Sequence, residues 1–182
     1  MQEYINITPI NKTKMRNEKI IVRKAKINDV PLILKLFSDF MKEHEKIVTQ
    51  KDPALKPHIQ RKNNAANIFR KFIERNIRSN KAVVDIAEVN EEIAGYSLSF
   101  IKNIPPVYNL DRIGHISDLY VKKKFRGKGI STMLKDESFR FFKRKGLKYV
   151  SIMVQRQNND AHSIYKKWGF FDFHIDMRRK LE

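Results

Sequence analysis

The sequence predicts a mixed α/β fold: one central sheet, part antiparallel and part parallel (an α+β mixed sheet), with helices on both faces. Three observations lead there. Apolar residues fall at helical spacing between positions 28 and 78, then switch to β-rich runs between 81 and 121. The strand–helix–strand order from 113 to 154 calls for a parallel pair joined by a right-handed crossover. A chain of 182 residues, 41% of them hydrophobic, has room for one domain with a proper core.

The elements follow in order. Residues 1–18 are polar and aperiodic and read as an N-terminal extension, which leaves 19–182 as a single domain. The β-branched run KIIVRKA (Lys19 to Ala25) is the first strand. A helix follows, with Asn28 or Asp29 at its N-cap, Pro31 in its first turn, and Ile33, Leu36, Phe37 and Phe40 on one face. The two prolines of QKDPALKPHIQ break it, and a second helix carries Ala66, Phe69, Phe72, Ile73 and Ile77 as one stripe. KAVVDIAEV and EIAGYSLSFI, joined through NEE, predict an antiparallel hairpin. IGHISDLYV is a further strand after the irregular loop KNIPPVYNLDR. GISTMLKDESFRFFKRKG is a helix that buries Ile130, Met133, Leu134 and Phe141 and stops at Gly146. KYVSIMVQ is a strand, NDAHSIYKKW a short helix, and the alternating FFDFHIDMRRKL a last strand.

Composition narrows the function. Cysteine is absent, which excludes disulfides, thiolate metal sites and a protein thiol as nucleophile. The first residues lack the apolar core of a secretory signal, and no apolar run is long enough to span a bilayer, so a cytoplasmic location and no membrane partner are expected. The net charge of +18 attracts anions over a wide area. On charge alone a nucleic acid remains an alternative partner, although no segment interleaves stacking aromatics with arginine. An exposed C-terminal strand would also suit a homodimer.

The stretch KKKFRGKGIS, Lys122 to Ser131, joins a strand end to a helix start. Free N–H groups and the helix dipole make such a start an anion site, and glycines let a phosphate approach the backbone. Arg126 and Lys128 add charge beside it. Gly127 and Gly129 do not have the spacing of G-x-x-x-x-G-K-[ST], and Thr132 stands where G-x-G-x-x-G needs its third glycine. Both familiar phosphate loops fail.

The surroundings resemble a third one. DLYVKKKFRGKGISTML is similar to the R/Q-x-x-G-x-G/A acetyl-coenzyme A signature of the GNAT N-acetyltransferase superfamily, with Arg126 first, Gly129 fourth and Ser131 in place of the sixth-position glycine or alanine. Further on, NNDAHSIYKKWGF is similar to the family's N-x-x-A-x-x-L-Y-x-x-x-G-F, matching at Asn158, Ala161, Tyr165, Gly169 and Phe170, with Ile164 for leucine. The resemblance implies a GNAT-like fold and direct transfer of acetyl from acetyl-coenzyme A, as co-substrate and with no metal, to a small-molecule amine or a protein amino group. It implies that the backbone of Leu119, Tyr120 and Val121 pairs with the pantetheine arm, one N–H polarising the thioester carbonyl. It implies that the amides of Arg126, Gly127, Lys128, Gly129, Ile130 and Ser131 hold the diphosphate, with Thr132, Asn158 and Ala161 in the same coenzyme-binding set. Tyr165 is the implied general acid. For the base, His115 and Asp118 rank equally and Glu88 lower. Strict strand alternation would point Asp118 away from His115, unless a bulge shifts the parity.

Overall fold

A computed structural model describes residues 18–181, so the expected N-terminal extension, Glu18 apart, lies outside the described residues. Strand β1 (Ile20–Lys24) leads through a 3-10 turn into helix α1 (Val30–Lys51). Asp29 stands at the N-cap, but its carboxylate turns backward and accepts from the Arg23 guanidinium at 2.9 and 3.0 Å and from the Lys26 amide at 2.7 Å. Asp52 and Pro53 end α1, and a short α2 (Lys56–Ile59) precedes α3 (Ala65–Arg78). Helix α3 buries Phe69, Ile73 and Asn76. Ala66, placed on the apolar stripe by the sequence, is exposed. Asn76 is tolerated on the buried side because its amide donates to Phe72 O at 2.8 Å.

Strands β2 (Ala82–Val89) and β3 (Glu92–Asn103) form the expected hairpin. Its turn residues Asn90 and Glu91 both have positive φ, 49° and 70°, as a two-residue turn matched to strand twist requires. Strand β4 (Arg112–Val121), helix α4 (Ile130–Arg144), strand β5 (Val150–Ile152) and helix α5 (Asn159–Lys167) complete the chain. The sheet runs β1-β2-β3-β4-β5, antiparallel except for the parallel β4–β5 pair. Helices α1 and α3 cover one face through Ile33, Leu36, Phe69 and Ile73 against Ile86 and Leu98. Helix α4 covers the other through Ile130, Leu134, Phe141 and Phe142. Gly114 permits that approach, since a Cβ there would meet the Phe142 ring at 2.6 Å. No helix among the described residues is long and apolar enough to cross a membrane.

The expected last strand is a correction. Residues 170–181 form neither strand nor helix, and Phe173 and Met177 are 85% and 88% exposed. Strand β5 has only three residues to pair with, and Asp172 is held instead by α5, 2.7 Å from His162 Nε2 and 3.3 Å from Lys166 Nζ. Alternation alone makes no strand without an edge to join.

Between the sheet and α4 lies a polar seam. Ser99 donates to Ser138 at 2.9 Å, and Ser138 donates to Leu134 O. Asp85 and Ser97, cross-strand neighbours, have buried oxygens without a partner among the described residues. Burial, reinforced by the charge of Glu137, pushes the Asp85 carboxyl up to about 7. A carboxyl raised by folding contributes its full stability below its unfolded value and loses it as pH climbs through the folded one. Asp85→Asn should therefore match the wild type in thermal unfolding near pH 4 and exceed it by about 2 kcal/mol at pH 8. A variant no more stable at pH 8 would show that the carboxylate is solvated there.

Candidate active site

Strand β4 carries the two leading candidate bases, and a bulge decides whether they share a face. Asp118 pairs with Leu98 and Ile116 with Ser99, which leaves Ser117 without a partner. The extra residue restores parity, so Asp118 and His115 share the α1/α3 face. Tyr96 Oη, from the core on that face, donates to Asp118 Oδ2 at 3.1 Å, and the His115 ring meets the Phe100 edge at 5.3 Å. Burial raises the Asp118 carboxyl to about 6 against the hydrogen bonds from Tyr96 and Ser117. His115 is buried, and burial, then the charge of Lys102, lowers its pKa. Ser151 Oγ lies 2.9 Å from His115 Nδ1 and donates to Gly114 O at 3.3 Å. In the tautomer in which Nδ1 donates to Ser151, Nε2 keeps its lone pair. Glu88 belongs elsewhere: it sits on β2, with its carboxylate 2.7 Å from Arg23.

Strand β4 also carries an open edge. Its pairing with β5 covers only Gly114 to Ile116, so the strands part before Leu119. Lys122 N donates to Ala94 O at 2.8 Å, toward β3. Alternation then turns the backbone groups of Leu119 and Val121 to the β5 side, and Tyr120's toward β3. Val121 O is occupied by Arg126 Nε at 2.8 Å. The edge ends at the glycine turn. Gly127 and Gly129 have φ of 78° and 75°, a left-handed backbone that glycine alone adopts freely. A Cβ at either would meet no described residue within 4 Å. The Arg126 amide is taken by Lys123 O, and the first intrahelical bond of α4 runs from Met133 N to Gly129 O. The amides of Gly127, Lys128, Gly129, Ile130, Ser131 and Thr132 between them donate to no group among the described residues. The cradle is a row of free N–H donors at a helix start.

Side-chain charge plays a smaller part there than the sequence suggests. Glu92 pairs with both Lys122 and Lys124, at 3.1 and 2.7 Å. Glu18 holds Lys128 at 2.5 Å, and Glu43 on α1 holds Arg126 at 2.7 Å. Glu43 also accepts from Tyr120 Oη at 2.7 Å. Burial pulls its pKa upward, but hydrogen bonds from Tyr120 and Arg126 outweigh this and hold it below the usual range. Sequence reasoning missed Glu43 because its partners lie about eighty positions away. It also missed His44, whose ring stacks on Phe40 and whose buried Nε2 has no partner among the described residues. Phe40 in turn packs on Tyr120, 5.6 Å between ring centres. A histidine one turn after an apolar helix position was the available signal.

The second motif caps α5 and packs it against α4. Asn158 caps α5, its Oδ1 accepting from Ala161 N at 3.2 Å, so that amide is spent in the cap. Tyr165 packs on Trp168 and Phe170, and Phe170 meets Phe139 of α4. Burial pushes the Tyr165 phenol up to about 12, and its hydroxyl bonds to no group among the described residues. On the far side Lys51 Nζ donates to Gln157 O at 3.2 Å, so the end of α1 reaches the loop before α5.

A parallel pair that parts beside a glycine-lined helix start sets an open strand edge next to a row of amides without partners among the described residues. The chain belongs to the acetyltransferase (GNAT) family, whose model matches residues 36–170. It is 30% identical over 88 residues to an uncharacterised N-acetyltransferase of Methanocaldococcus jannaschii, covering 47% of this chain and 37% of that protein. It is 29% identical over 104 residues to an N-alpha-acetyltransferase of Sulfurisphaera tokodaii, covering 54% and 62%. The chain thus spans less than two thirds of either relative. Its fold is similar to a Clostridium acetobutylicum predicted acetyltransferase crystallised with acetyl-coenzyme A, with a TM-score of 0.68 and 21% identity over 89% of this chain and 96% of that one.

Proposed function

We propose that the protein transfers the acetyl group of acetyl-coenzyme A to a primary amine by direct attack. The observation that carries this is the row of free amides from Gly127 to Thr132 adjoining the unpaired edge at Leu119 and Val121. That arrangement suits a diphosphate followed by a pantetheine arm, and acetyl-coenzyme A supplies the activated thioester. The open spaces at Gly127 and Gly129 fit the diphosphate. A backbone N–H on the free edge polarises the carbonyl where negative charge develops. Asp118 or His115 receives the proton that the amine must lose, and both lie on the α1/α3 face of the sheet. Tyr165, protonated throughout the neutral range, donates to the departing sulfur. The Sulfurisphaera relative's name brings a protein α-amino group into this reading, beside small amines.

Calorimetric titration with acetyl-coenzyme A tests the donor: saturable binding is expected, and its absence would overturn the proposal. Release of free thiol on adding amines tests the transfer. Tyr165→Phe should lower kcat by about 10- to 100-fold and leave acetyl-coenzyme A affinity unchanged. A weakened affinity with normal kcat would reduce Tyr165 to a packing residue.

A further inference from the structure

The acceptor side of the cleft has a charge pattern that acetyl transfer by itself does not require. A cavity of about 190 Å³ is lined by Phe72, Arg75, Asn76, Ser79, Lys81 and Phe100 among others. A second, of about 250 Å³, shares Phe72 and is edged by Arg61 and Lys62. Among the described residues no carboxylate lines either one. Arg61 is partnered by Glu45 at 3.6 Å, whereas Arg75, Lys81, Lys62 and Lys102 form no ion pair among the described residues. Arg75 instead lies over the Phe72 ring, 5.4 Å from its centre.

The smaller cavity adjoins the candidate bases along one row of the sheet. Ala82 opposes Phe100, and Phe100 opposes His115. Phe72 meets Phe100 edge-on at 6.3 Å, and Phe100 meets His115 at 5.3 Å, so the aromatic floor is continuous. Lys102 is near enough to disfavour a charge on His115. Neighbouring strands are ~4.8 Å apart, and Asp118 lies about two strand residues farther along β4, ~7 Å. The smaller cavity is therefore roughly 10 Å from Asp118, the span of about three extended residues.

Resting on the acetyl-transfer reading above, we infer that the acceptor is an amine with an anionic group about 10 Å away, and specifically a peptide α-amine followed by acidic side chains, the anion lying between Arg75 and Lys81. An acceptor with a second ammonium would place like charge against four unpaired cations. A polyamine or an aminoglycoside is disfavoured for that reason. The apolar floor of Phe72 and Phe100 suits the stem between the two ends.

The test compares serine-initiated peptides of equal length with glutamate, glutamine or lysine at positions two to four. The glutamate peptide is expected to exceed the lysine peptide in kcat/KM by roughly 10-fold or more, and the gap should narrow in about 0.5 M salt. Arg75→Gln with Lys81→Gln should remove most of that preference. Both side chains are exposed, so the fold and acetyl-coenzyme A affinity should stay as in the wild type, while the glutamate-peptide rate falls toward the glutamine-peptide rate. Free glutamate or phosphoethanolamine preferred over neutral amines, with the same dependence on Arg75 and Lys81, would assign the anion subsite to a small acceptor and overturn the peptide. A preference for lysine peptides or spermidine, or one untouched by the double substitution, would overturn the inference. So would RNA displacing the acceptor where acidic peptides do not. Acetylation of amines without regard to charge sinks the anionic acceptor and leaves acetyl transfer standing; failure to bind acetyl-coenzyme A sinks both.

Discussion

Gly129→Val is expected to weaken acetyl-coenzyme A binding by about 100-fold in calorimetric titration, the equivalent of about 2.7 kcal/mol. Two effects add. A β-branched residue resists the left-handed backbone that Gly129 adopts at φ 75°. Its side chain also projects into the open space beside the free amides, where the diphosphate must lie. Gly146 separates these effects. It ends α4 with φ 71° and an equally open Cβ position, far along the chain from the cradle. Gly146→Val should therefore lose a similar amount of stability, about 1–2 kcal/mol, with coenzyme affinity intact. Equal affinity losses in the two variants would mean that strain, and not the cradle, governs binding.

The contrast between those glycines also shows what a sequence discloses. A left-handed turn before or after a helix is a local event, so Gly127, Gly129 and Gly146 were legible from their neighbours alone. The same holds for the period changes that gave the first strand, three helices and the hairpin. The charge reading was misleading because pairing is not local: Glu18, Glu43 and Glu92 come from three other parts of the chain to occupy the cations around the turn. Asp85 and Asn76 are buried within apolar patterns while Ala66, on an apolar stripe, is exposed, and only the packed structure shows which groups go inside. The last strand failed for the opposite reason. Its alternation is clean, but strand formation depends on a free partner edge, and β5 offers three residues.

Most consequential for chemistry is the bulge at Ser117, because it moves Asp118 onto the face of His115. No residue type in ISDLY announces a bulge, and one skipped partner reverses every assignment beyond it. The carboxylate then sits under α1 with Tyr96 behind it and no cation paired to it among the described residues.

Asp118→Asn should lower kcat by about 100- to 1,000-fold if that carboxylate takes the proton from the attacking amine. The pH profile carries the sharper test. Burial raises the Asp118 pKa to about 6, and a base must be ionised, so the wild-type rate should climb from pH 5 to pH 7 and lose its low-pH limb in the variant. Because the Tyr96 hydroxyl stabilises the ionised form, Tyr96→Phe should move the limb to higher pH and keep most of the plateau rate. A residue that merely filled space would change neither feature. His115, whose pKa burial and then the charge of Lys102 lower, would as a base also give a low-pH limb, so the presence of a limb alone does not choose between them. Substitution does: a limb that survives in Asp118→Asn and vanishes in His115→Gln would transfer the base to the imidazole, which Ser151 holds through Nδ1 at 2.9 Å.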